Sequence, residues 1–103
     1  MATQLKNPHP GIILQEEFLE PLGLSQNQLA TAIGVPANRI NDIVRGRRGI
    51  TADTDLRLGR FFKLSDGYWL RLQNAYDMME AKREQGKAIA KIHPFSEGRS
   101  QSP

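Results

Sequence analysis

Apolar positions along this chain recur at steps of three and four, and no segment alternates with period two over the length of a strand, so the pattern predicts an all-helical fold. A first helix is predicted over Ile12 to Glu20, preceded by Pro8-His9-Pro10-Gly11 and ended by Pro21 and Gly23. Ile12, Leu14, Phe18 and Leu19 supply its apolar contacts, while Ile13, Glu17 and Glu20 share an exposed or mixed face. Two short helices follow. Ser25 is a good N-cap for one, and Pro36, with its fixed φ and missing N–H, is placed to open the other. Between them Ala30 stands where a larger side chain would push the helices apart, and Gly34 where the turn needs positive φ. Leu29, Val35, Ile40 and Ile43 then fill the angle, which makes the pair a helix-turn-helix.

After Gly46-Arg47-Arg48-Gly49 a fourth helix is predicted, with Thr51 as N-cap, Asp53 complementing the helix dipole, and Leu56, Phe61 and Phe62 facing the core. Gly59 inside it costs roughly 1 kcal/mol relative to Ala, which marks either close packing or a soft element. Ser65 is the expected cap of a fifth helix. There Trp69, Leu72, Tyr76 and Met79 recur at alternating steps of three and four, a seam that packs lengthwise on the rest of the domain, on a second copy, or on both by different flanks. From Ala81 the pattern degrades. The expected organisation is a flexible N-terminal segment over residues 1–8, a helix-turn-helix domain with a C-terminal dimerisation helix over 9–80, and a fraying helix with a disordered tail over 81–103.

With 103 residues the buried core is modest, so a homodimer is expected before a monomer. The absence of cysteine excludes a disulfide framework and thiolate metal sites. No apolar run is long enough for a signal-peptide core or a membrane span, and the expected location is cytoplasmic, away from membranes. The net charge of +3 says little by itself, but its distribution is uneven. Up to Ile33 the charges are Lys6 against Glu16, Glu17 and Glu20; from Gly34 to Gly49 they are Arg39, Arg45, Arg47 and Arg48 against Asp42 alone. Basic character therefore gathers on the second motif helix and the loop after it, where a phosphate-facing surface belongs. The bland alternative is a solvated arginine-rich loop.

At about 100° per residue, pointing Ile40 inward brings Ile43 and Val44 to the same side and sends Asn38, Asp42 and Arg45 outward, flanked by Arg39 and Asn41. Asn amides suit adenine N6 and N7, and Arg suits guanine O6 and N7, so this face fits a major groove. Ala37 is positioned for a thymine methyl. Asp42, with Arg39 and Arg45 three residues away on either side, reads as a group that orients arginine rather than one that contacts a base. Gln26, at the start of the preceding helix, suits a phosphate together with the backbone N–H groups there, and Gln28 is named among the DNA-binding residues. Arg45, Arg47 and Arg48 add phosphate contacts. Elsewhere in a fold each Asn would be an ordinary solvent-facing amide, and Trp69 is more simply a core residue than a ligand platform.

His9-Pro10-Gly11, the run from Phe18 to Gln26, Arg39-Ile40-Asn41, the run from Gly46 to Thr51, Trp69-Leu70, Leu72-Gln73 and Tyr76-Asp77 together resemble the HigA (VapI) family of plasmid-maintenance antidote proteins, within the Xre and Cro/C1-type helix-turn-helix group. The resemblance implies a five-helix bundle of the lambda-repressor-like type. It also implies an antitoxin of a type II toxin–antitoxin module, which binds a RelE-like, HigB-type toxin that cleaves mRNA on the ribosome and, as a dimer, binds palindromic double-stranded operator DNA to repress its own operon. No cofactor is implied. The chain departs from the family pattern at Gly59, at Lys63, where a Gly often ends the fourth helix, and at Asp66-Gly67-Tyr68, all of which touch helix boundaries and the dimer seam.

Two other classes compete. A solitary Xre-type regulator without a toxin differs only in its gene neighbourhood, and a pure protein-interaction module would carry a neutral or acidic outer face, against which Arg45, Arg47 and Arg48 stand. An enzyme is disfavoured: His9 and His93 lie far apart, and Glu16 and Glu17 point about 100° from each other on one helix, so no catalytic, metal or cofactor-binding residues are assigned.

Overall fold

Leu14 and Leu19 are five residues apart and both fully buried, which a regular α-helix would not allow on one narrow face. In the computed structural model, which describes residues 6–96, the first rod solves this by changing its winding. An α-helical turn, Pro10–Ile13, passes into a π-helical stretch, Leu14–Leu19, and closes with Glu20–Leu22; together they are α1. The wider turn brings both leucines to the core and precedes Pro21, whose ring would crowd the carbonyl four residues back in an ordinary helix. One expectation is corrected here: Ile12 is 43% exposed, and it is Ile13 that packs against the core.

Helix α2 is Gln26–Ile33 and α3 is Ala37–Val44. A reciprocal capping box opens α2: Ser25 Oγ accepts from Gln28 N–H at 2.9 Å, and Gln28 Oε1 accepts from Ser25 N–H at 2.8 Å. Gly34 ends it with φ +77°, the left-handed turn that the sequence required of that position. Leu29, Ala30 and Ile33 of α2 are buried with Ile40 and Ile43 of α3, so the angle between the two helices is filled as the pattern predicted.

Helix α4 is Ala52–Phe62, capped by Thr51 Oγ1, and α5 is Tyr68–Ala90. The buried face of α4 is Thr54, Asp55, Leu58 and Gly59, with Phe62 packed beside it. Leu56 stands about 160° around from Leu58 and is 50% exposed, while Phe61 at the edge is 37% exposed, so of the three apolar residues expected inward only Phe62 is. Gly59 is there for packing, because a Cβ on it would lie 3.2 Å from Leu64 O. Lys63 ends α4 at φ +62°, where Gly would be unstrained.

Ser65 does not cap α5; Gly67 holds the N-cap position and offers no side chain. The missing acceptor comes from α4. Asp55, buried beneath the turn, accepts from Gly67 N–H at 2.7 Å, Trp69 N–H at 2.7 Å and Leu70 N–H at 3.0 Å. Trp69 is fully buried, its ring centroid 5.0 Å from that of Phe18 and 5.3 Å from that of Tyr68. Beyond Ala81 the helix stays regular to Ala90, although almost every side chain there is exposed. At the other end Asn7 is tied down, donating to Tyr76 O and to Glu80 Oε2 at 3.0 Å each, so this part of the segment expected to be flexible is anchored on α5. The disorder expected at the far C-terminus and the looseness of the first five residues fall outside the described residues. The described residues form five helices and no strand.

Candidate nucleic-acid interface

On α3 the apolar side anchors the helix: Ile40 and Ile43 are fully buried, and Ala37 and Val44 pack against the same core. Asn38 and Arg45 are exposed on the other side, and Arg39, Asn41 and Asp42 are half-buried along its flanks. Arg47 and Arg48 are exposed in the loop that follows. All the expected contact residues except Gln26 and Gln28 thus lie on one helix and its adjoining turn; Gln26 meets them through Asn41, whose Nδ2 donates to Gln26 Oε1. Gln26 in turn donates to Gln15 Oε1 at 3.1 Å, which ties α3 to α1 through α2. Gln28 is exposed, but its side-chain oxygen is engaged in the capping box.

The charges are ordered by carboxylates with separate partners. Asp53, at the start of α4, holds Arg39 at 2.8 Å and Arg57 at 3.0 Å, and hydrogen bonds from Arg57 and then Arg39 keep its carboxyl below the usual range. Asp42 pairs with Arg47 at 3.8 Å, not with Arg39 or Arg45 as expected from spacing. The reason is that α3 stops at Val44: the chain folds back so that Arg47 N–H donates to Asp42 O at 2.8 Å, bringing the two side chains together, while Arg39 is drawn to α4. Asp77 lies near His9.

The end of α3 rests on the start of α1. A Cβ on Gly11 would lie 1.8 Å from Ile43 O, so only glycine lets the two backbones meet. His9 Nδ1 accepts from Gly11 N–H at 2.9 Å, and its ring sits edge-on to Tyr76 at 5.0 Å. Burial lowers its pKa from 6.5, with Asp77 pulling the other way. The His9-Pro10-Gly11 run is therefore a buttress for α3.

The proposed dimer seam divides. Trp69 lies inside its own core and can reach no second copy, which corrects its place among the dimerisation residues. Leu72 packs on that core, Tyr76 covers His9, and Met79 is 36% exposed. Sequence reasoning passed over Asp55, Arg57, Gln73 and Asn7. Each acts on a distant segment, Arg57 by donating to Ile33 O at 2.8 Å, and periodicity carries no trace of such contacts. Among the described residues there is no cluster of His, Cys, Asp or Glu able to hold a metal, and no helix long and apolar enough to cross a membrane.

Residues 16–69 match the helix-turn-helix family HTH_3. The chain is 51% identical over 88 residues to virulence-associated protein I of Dichelobacter nodosus, covering 85% of this chain and 81% of that protein. Its fold superposes with TM-score 0.83 on Pseudomonas aeruginosa antitoxin HigA with the higBA promoter, at 43% identity over 88% of this chain and all of that one. The chain belongs to the HigA (VapI) family. A HigA-family addiction-module antidote protein from Coxiella burnetii matches equally well, with TM-score 0.83, 43% identity and coverage of 88% and 100%. HigA proteins are helix-turn-helix regulators and antitoxins, not enzymes.

Proposed function

We propose that this HigA-family chain is the antitoxin of a type II toxin–antitoxin module: it binds a HigB-type, mRNA-cleaving toxin and, as a homodimer in the cytoplasm, binds a palindromic operator to repress its own operon. The observation that carries the DNA half is the recognition helix α3, anchored by Ile40 and Ile43, with Asn38 and Arg45 facing out and the Arg47-Arg48 loop beside it. In this reading Asn38, Arg39, Asn41 and Ala37 meet base edges. Arg45, Arg47, Arg48, Gln26 and Gln28 meet phosphates, and Asp42 steadies Arg47. A two-fold dimer would present two such helices about 34 Å apart, matching a palindrome. On α5 the half-buried Leu72 and Tyr76 and the exposed Met79, with exposed Met78 beside it, would make the dimer contact. The relative seen with the higBA promoter supports the DNA half, and the addiction-module relative supports the toxin half.

The test is co-expression with the neighbouring gene. Retention of that gene's product on tagged antitoxin, together with a mobility shift of the promoter duplex, is the expected result. A promoter shift with no retained protein would make the chain a solitary regulator, and no shift at all would sink the DNA half.

A further inference from the structure

The basic loop between α3 and α4 is held from α5 by the side-chain amide of Gln73. Ile50 N–H donates to Gln73 Oε1 at 2.8 Å, and Gln73 Nε2 donates to Asp77 Oδ1 at 3.0 Å, one turn further along the same helix. Asp77 accepts only, so it sets which way round the amide lies, with the nitrogen toward the carboxylate and the oxygen toward the loop. The loop runs close over this amide, because a Cβ on Gly49 would stand 3.1 Å from Gln73 Oε1. At its other end the loop is fixed by Arg47 N–H on Asp42 O. Arg47 and Arg48 thus sit on a short span between the end of α3 and one side chain of α5, and Ile50, just past them, is buried.

We propose that Gln73 is a positioning residue for DNA binding: oriented by Asp77, it holds the loop so that Arg47 and Arg48 meet the phosphates together, and it links α5 to the DNA-facing surface. This rests on the reading above that the loop faces DNA. Gln73 itself is half-buried behind the loop and acts through Ile50 rather than by touching nucleic acid. A loop already held in its bound shape loses less conformational freedom on binding, and its charges act in concert. Any change that shifts α5 at Gln73 and Asp77 is transmitted to the arginines.

The full-length chain is titrated against the duplex of its own promoter across a range of salt, as wild type, Gln73→Met, Gln73→Glu with Asp77→Asn, and Arg48→Ala. Gln73→Met keeps the length and removes the acceptor, and it is expected to weaken binding roughly tenfold, the effect of one hydrogen bond. It should also flatten the slope of log affinity against log salt by about 1 per subunit, the share of one phosphate contact. A merely structural loss would lower the active fraction and leave that slope alone. The double variant preserves net charge and reverses the inner bond. The amide introduced at position 77 donates to the carboxylate introduced at position 73, which still accepts from Ile50 N–H, so affinity should recover to within about twofold of wild type. Gln73→Met binding with wild-type affinity and slope while Arg48→Ala is weakened would overturn the role of Gln73 alone. Failure of the folded double variant to recover would also overturn it. Arg48→Ala binding like wild type would remove the phosphate-facing loop, and this proposal with it.

Discussion

In the proposed reading Asn41 serves the fold and the groove at once. Its amide nitrogen carries two hydrogens, one of which goes to Gln26. The other hydrogen and the carbonyl oxygen match an adenine edge. Asn41→Ala should cost roughly 1 to 3 kcal/mol of operator binding and relax preference at one base position, whereas Arg48→Ala should weaken operator and random duplexes alike. Equal losses on both duplexes for both variants would contradict that division. His9 gives a second residue-scale prediction. Only a neutral Nδ1 accepts from Gly11 N–H, and burial lowers the folded pKa from 6.5, so the unfolded chain takes up this proton first. Its contribution to stability is complete above 6.5 and is lost as pH falls through the lower folded value. Denaturation midpoints followed between about pH 8 and pH 5 should therefore fall more steeply for wild type than for His9→Ala, and parallel curves would remove the effect.

Local signals were readable at the scale of single elements. Ser25, Gly34 and Thr51 act within one turn of where they stand, so residue type alone announces α2 and α4, while the reciprocal bond from Gln28 to Ser25 went unread. The cap of α5 was hidden, because Asp55 in the first turn of α4 reads as a residue serving its own helix. It serves the next one. Asp55→Ala leaves three N–H groups at the start of α5 without their acceptor and is expected to cost about 3 kcal/mol of stability in urea denaturation, with Asp55→Asn milder. Asp53→Ala, on the exposed face two residues away, should change stability little, since surface ion pairs contribute little. A loss at Asp55 no larger than at Asp53 would refute the cross-helix cap. The same distinction explains Leu56 and Phe61, whose apolar character was visible but whose direction depended on where α4 lies.

The molecule spans 58 × 36 × 22 Å, and its radius of gyration of 18.3 Å exceeds the roughly 13 Å of a compact chain this long. Helix α5, with 23 residues, is about 35 Å long, and Ile89, Ile92 and Phe95 at and just past its end are exposed. A homodimer should have a mass in solution twice 11.6 kDa. With Arg45, Arg47 and Arg48 on phosphates in each subunit, log affinity for a palindrome should fall with log salt at a slope of about −5, against about −3 for a single copy. Light scattering and a salt titration measure the two quantities separately. A monomer with the shallower slope would leave the palindrome without a reason.

Residue order alone determined the helical class, the Ala30 and Gly34 crossing, and the side of α3 that carries Asn38 and Arg45, because those depend on periodicity and on backbone preferences that act within a few residues. Tertiary structure alone decided that Gly11 receives the end of α3, that Asp55 caps α5, that Asp42 meets Arg47, and that Gln73 holds the basic loop. Those contacts join segments far apart in sequence or across a turn, and their partners are chosen by where the helices come to rest, which no local pattern encodes.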